Sequence, residues 1–169
     1  QNIGQGEELK NWTTVLEPKF LTEILGYEMN KDLNTHINDG SGQWFDFING
    51  KEFVDKLGRQ NTWDGFKTVG SNPIAYFIYH EWVRNNHTTL TSLGTVIGAM
   101  ENSTLVSPND KLVNAWNRMV ELLWVMDDYL RQNSTLFPKY LGLDNTPFIE
   151  TVDYRSNVSN NKYFQPINT

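Results

Sequence analysis

The side chains in this chain best suited to acid–base or metal chemistry are three histidines, His36, His80 and His87, and two adjacent carboxylates, Asp127 and Asp128. A continuous helix would stack His80 over His87, seven positions on. Asn85 and Asn86 intervene, however, and favour ending a helix before His87 is reached. Neither Glu-x-x-His nor His-x-x-x-His occurs, so no metal-ligand spacing is present. His80 beside Glu81 is the ordinary pattern of a surface or core-edge pair, and His36 lies on a short polar helix that reads the same way. Adjacent helix positions point in different directions, so Asp127 and Asp128 cannot share a proton as a catalytic dyad does. They predict a solvated helix end. There is no cysteine, no phosphate-cradling Gly-rich motif and no Gly-x-Ser-x-Gly elbow. The expectation is a protein that is not an enzyme and takes no cofactor or metal.

The elements around these residues are mainly helical. Residues 1–17 carry two glycines and little periodicity, which predicts an extended N-terminal arm. Pro18 suits a first helical position, and Phe20, Leu21, Ile24 and Leu25 then share a face. Asn30 is placed to cap a second short helix with Leu33 and Ile37 inward and Gly40 at its end. Asn49-Gly50 predicts a turn, either of a hairpin or at the end of a helix carrying Trp44, Phe45 and Ile48. Asn72 and Pro73 open a helix over 72–85 that is apolar almost all round, which predicts enclosure by several neighbours. Ser107 and Pro108 start the longest helix, over 108–132. Its main stripe is Leu112, Trp116, Met119, Leu123, Met126 and Leu130, with Val113, Val120 and Trp124 beside it. The spacing is that of core packing rather than of a cofactor pocket.

Composition bounds the rest. A chain of 169 residues with six Trp, seven Tyr and nine Phe can bury a real core within one domain. A net charge of -6 without any basic run argues against gripping nucleic acid through its phosphates. No apolar run is long enough for a membrane span and no signal-peptide core is evident, so an intracellular soluble protein is the default expectation. Five Asn-x-Ser/Thr sequons begin at Asn11, Asn86, Asn102, Asn133 and Asn157. An Asn- and Thr-rich chain generates several by chance, yet they motivate a competing view, a secreted or surface protein-binding module.

Three stretches have no home in a helical body: the arm over 1–17, a connection and a tail. Residues 86–107 form an insertion far longer than a helix–helix turn requires, and its "TTLTSLGTVIGAM" is strongly β-prone. It reads as a β-hairpin or an extended loop able to pair with another chain. Residues 134–169 are a loop-like tail with isolated aromatics. Apolar residues of this kind need shelter, which predicts contact with other subunits through Thr89, Leu90, Leu93, Val96, Ile97 and Met100 of the insertion and Phe148, Tyr154, Tyr163 and Phe164 of the tail. The organisation is therefore an arm over 1–17, a body over 18–133 and a tail over 134–169.

A pattern along residues 18–140 resembles the head-to-tail connector proteins, also called neck or adaptor proteins, of tailed bacteriophages of Bacteroidales hosts, including crAss-like phages. It comprises Gly50 followed by Phe53, then Trp63-x-Gly65-Phe66 and Ala75-Tyr76-Phe77-x-Tyr79. A Thr-rich segment with Gly94-Thr95-Val96 and a long helix ending in Tyr129-Leu130-x-x-Asn133 complete it. The resemblance implies a homo-oligomeric ring, commonly of twelve copies, in the virion neck between portal and tail. Such a ring extends the DNA channel, holds DNA only in passage, and docks portal and tail proteins. It implies a virion protein present in the host cytoplasm during assembly, without catalytic residues. The acidic balance agrees, because a channel wall should not hold DNA tightly.

Overall fold

The computed structural model describes the backbone of residues 3–86, 89–91, 94–96, 108–144 and 146, and the side chains of 6–85, 111–144 and 146. The element order is α1 (Ile3–Leu25), α2 (Tyr27–Thr35), α3 (Gln43–Asn49), β1 (Lys51–Val54), β2 (Gln60–Trp63), α4 (Pro73–Asn86), β3 (Thr89–Thr91), β4 (Gly94–Val96) and α5 (Pro108–Gln132). The protein is mainly helical, with a small antiparallel hairpin, β3–β4, inserted between its last two helices.

The core is organised around α5, whose span is the one its periodicity predicts. Leu112, Trp116, Met119, Leu123, Met126 and Leu130 are all at most 2% exposed, and Val113 and Val120 are buried beside them. Trp124 departs from the expectation, being 49% exposed. It lies three positions after Glu121 and four before Asp128, so it shares the wet face with them rather than continuing the valine stripe. α4 packs along α5, and Phe77 stacks on Phe20 of α1 with ring centroids 4.6 Å apart. α4 begins as predicted, with Asn72 Oδ1 accepting from the amides of Ile74 (2.9 Å) and Ala75 (3.4 Å). It is not enclosed all round, because Ala75 and Tyr79 face outward.

The N-terminal arm is helical rather than extended. Leu9, Trp12, Leu16 and Phe20 recur at helical spacing, and Trp12 and Leu16 pack against the core. That packing carries the helix straight through Pro18, which lies inside α1 and so does not begin it. An internal proline costs about 3 kcal/mol and one backbone hydrogen bond, a penalty that an apolar stripe of this length can outweigh. Asn30, expected as a cap, sits buried inside α2 and donates from Nδ2 to Thr22 Oγ1 at 2.8 Å. Gly26, with φ of 78°, makes the break between α1 and α2 instead. Ile37 lies beyond the end of α2 and is 47% exposed, so only Leu33 of the expected pair turns inward.

Asn49-Gly50 proves to be a helix end. Gly50 terminates α3 with φ of 100° and leads directly into β1. β1 pairs antiparallel with β2 in the register Lys51↔Trp63 through Val54↔Gln60. Around this junction Phe47 is the hub of an aromatic cluster, meeting Trp63, Phe66, Tyr129 and Phe137 at centroid distances of 5.2 to 6.2 Å. Trp63 Nε1 donates to the Phe47 carbonyl at 2.7 Å, which satisfies the one polar atom of a fully buried indole.

Candidate assembly surfaces

Three features of the molecule could serve contact with another chain: the inserted hairpin, a pair of grooves flanking α4, and the clasp from which the tail departs. Each is built from local sequence.

The hairpin occupies the insertion at the place read as β-prone. Thr89 pairs with Val96, Leu90 with Thr95 and Thr91 with Gly94, leaving a two-residue connection at 92–93. Of the residues expected at subunit contacts, Thr89, Leu90 and Val96 lie on these strands. Leu93, Ile97, Met100, Phe148, Tyr154, Tyr163 and Phe164 lie outside the described residues. Each strand of a two-stranded sheet keeps one edge of backbone donors and acceptors without a ladder partner.

The larger groove, of about 640 Å³, runs between α1 and α4. Leu9, Thr13, Glu17 and Leu21, spaced four apart on α1, form one wall. Ile74, Ile78, Tyr79 and Trp82 of α4 form the other, and Leu33, Ile48 and Phe66 contribute from the elements between. Among the described residues the lining is predominantly apolar, with Lys67 and Glu17 as its charged members. A second groove, of about 570 Å³, lies on the opposite side of the Ala75–Tyr79 ridge, between α4 and the start of α5. Lys111 and Arg118 line it. The Arg118 guanidinium is held in its charged form chiefly by a hydrogen bond to Glu121 Oε2 at 2.9 Å. Asn72, Ala75 and Tyr79 line both grooves, so the two form one continuous face.

The clasp centres on Asp127, which is buried and not solvated as expected. Its carboxylate accepts from Tyr140 Oη at 2.7 Å, Arg131 Nε at 2.7 Å and the Leu143 amide at 3.2 Å. Arg131 also bridges to Asp144 at 2.9 Å. Burial, then the hydrogen bond to Asp127, pushes the Tyr140 hydroxyl far above its ordinary pKa, so it remains a donor at any physiological pH. The two carboxylates together hold the Arg131 guanidinium charged. Asp127 turns toward the chain after α5 while Asp128 turns away, since adjacent helix positions diverge. The i,i+4 spacing of Asp127 and Arg131 is a signal of this ion pair that the sequence reading passed over, and nothing in the sequence pairs Asp127 with Tyr140. Phe137 and Leu143 are buried nearby, so the first part of the expected tail belongs to the body.

The two described histidines, His36 and His80, form no site together, and His87 lies outside the described residues. His80 is 1% exposed, its Nδ1 lies 3.1 Å from Glu81 Oε1, and its ring tilts against Trp116 at 5.0 Å. His36 pairs with Asp39 at 2.9 Å and stacks on Trp44. Among the described residues no group of His, Asp and Glu is arranged to hold a metal ion, and no helix is long and apolar enough to cross a membrane. Among the sequons, Asn11 is exposed on α1, while Asn133 donates its amide to the Tyr129 carbonyl at 2.8 Å. Comparison with family models, curated proteins and solved structures returned no match.

Proposed function

We propose that the protein is a structural virion component, one copy of a ring in the neck of a tailed phage, between portal and tail. In this role it extends the channel through which DNA passes and docks the components above and below. The observation that carries the assembly part of the reading is a mismatch within the single chain. Described residues of the body form a continuous, largely apolar face about α4, and the sequences of the insertion and tail carry further apolar residues that no helical stripe uses. In a ring with head-to-tail interfaces, one surface of each copy fits a different surface of the next. The phage setting is supported by the sequence resemblance over residues 18–140. The net charge of -6 fits a channel wall that lets DNA slide.

Native mass spectrometry of the full chain, alone and mixed with a portal protein from the genome that encodes it, tests the reading. Closed rings, or recruitment in multiple copies to the portal, are expected. A strictly monomeric protein under both conditions overturns the proposal.

A further inference from the structure

We propose that the α1–α4 groove is the seat for residues 147–154 (PFIETVDY) of the adjacent copy, so that each subunit donates its tail to the next. The inference rests on the ring reading and assigns its donor and acceptor surfaces.

Three observations support it. The first is chemical fit. The groove is apolar, of a size that takes a few large side chains, and continuous with the second groove across the Ala75–Tyr79 ridge. Of the described residues lining the two, Lys67, Lys111 and Arg118 are cationic, Arg118 being already paired with Glu121, and Glu17 is the single carboxylate. The donor segment matches both properties, with Phe148, Ile149, Val152 and Tyr154 to bury and Glu150 and Asp153 to meet the cations. The other available donor, residues 89–100, carries no charged residue and gains nothing from that rim.

The second is reach. The described chain ends at residue 146, and 147–169 follow. Fully extended, the eight donor residues 147–154 span about 26 Å at roughly 3.3 Å per residue, enough to cross a subunit seam where the groove of one copy adjoins the clasp of the next.

The third is separation of donor from acceptor. The clasp of Asp127, Arg131, Tyr140 and Leu143 fixes where the tail leaves the body. None of these residues lines either groove. Donor and acceptor are thus different surfaces of one copy, as a head-to-tail ring requires.

The test is a photo-crosslink in the full chain, with p-benzoylphenylalanine in place of Phe148 and assemblies formed from a mixture of ordinary and nitrogen-15-labelled chains. Crosslinks joining residue 148 of one isotopic species to residues 9–21 or 74–82 of the other are expected. Crosslinks confined within one chain, or rings whose residue 148 reaches neither helix, overturn the inference and leave the ring reading standing. Absence of rings in the unsubstituted protein overturns both. As a second measurement, Ala75→Arg introduces bulk and charge at an exposed helix position that borders the seat. It is expected to raise the concentration needed for assembly at least about tenfold with the melting temperature unchanged. Unchanged assembly counts against the groove.

Discussion

At the residue scale, one close approach and one carboxylate set what the molecule tolerates. Gly65 has φ of 75°, and a Cβ there would lie 2.5 Å from the Ile48 carbonyl oxygen. Backbone cannot yield as a side-chain tip would, so Gly65→Ala combines left-handed strain with a collision. We expect a loss of about 3 kcal/mol or more in urea unfolding, whereas Gly58→Ala, where nothing crowds the position, costs only the backbone strain. Asp55 closes the β1–β2 loop by accepting from the amides of Leu57 and Arg59 and from Arg59 Nε, all within 2.9 Å. The Arg59 amide foremost, with its side chain, holds the Asp55 carboxyl below its ordinary value of 3.8. A depressed folded-state pKa stabilises above the unfolded value and loses that contribution as pH falls through the folded one. The stability gap between wild type and Asp55→Asn should therefore be constant near neutrality and close below about pH 4, as followed by thermal unfolding across pH. A gap that persists at low pH would point to geometry rather than charge.

At the element scale, the helices carry the body, and the insertion is the segment proposed to carry contacts. Trp116 is fully buried where α5 meets α4, and Trp116→Ala should cost about 3 to 5 kcal/mol through the cavity it leaves. The insertion should behave in the opposite way. Replacing residues 89–103 with a short Gly-Ser linker is expected to leave helical circular dichroism and cooperative melting intact while abolishing assembly. Loss of folding would place the segment in the core. Much of the helical body was legible beforehand. The α5 stripe and the Asn72–Pro73 start of α4 followed from periodicity and capping, both local properties. α1 was hidden because Gly4, Gly6 and Pro18 weaken local propensity, and only packing of Trp12 and Leu16 on other elements reveals it. The α1–α4 groove was invisible for the same reason. It is made by two helices far apart in sequence, and no single stretch shows that Leu9 and Trp82 will line one groove.

At the scale of the whole molecule, a head-to-tail interface makes a demand that a two-fold symmetric one does not. Every copy must both donate and accept, and the two functions can be broken separately. Phe148→Asp with Tyr154→Asp spoils the donor and leaves the groove intact, whereas Ala75→Arg spoils the groove and leaves the tail intact. Neither variant alone can form a productive contact with itself. Mixed in equal amounts, the intact tail of the second should enter the intact groove of the first. The resulting pair has a spoiled tail at one end and a spoiled groove at the other, so growth stops. Analytical ultracentrifugation of the mixture should show dimers and nothing larger, while each variant alone stays monomeric and wild type forms rings. If the mixture restored rings, complementation would be of a different kind, with donor and acceptor cooperating at more than one seat. If the mixture stayed monomeric while wild type assembled, tail and groove would not be partners, and the apolar face about α4 would have another occupant within the ring.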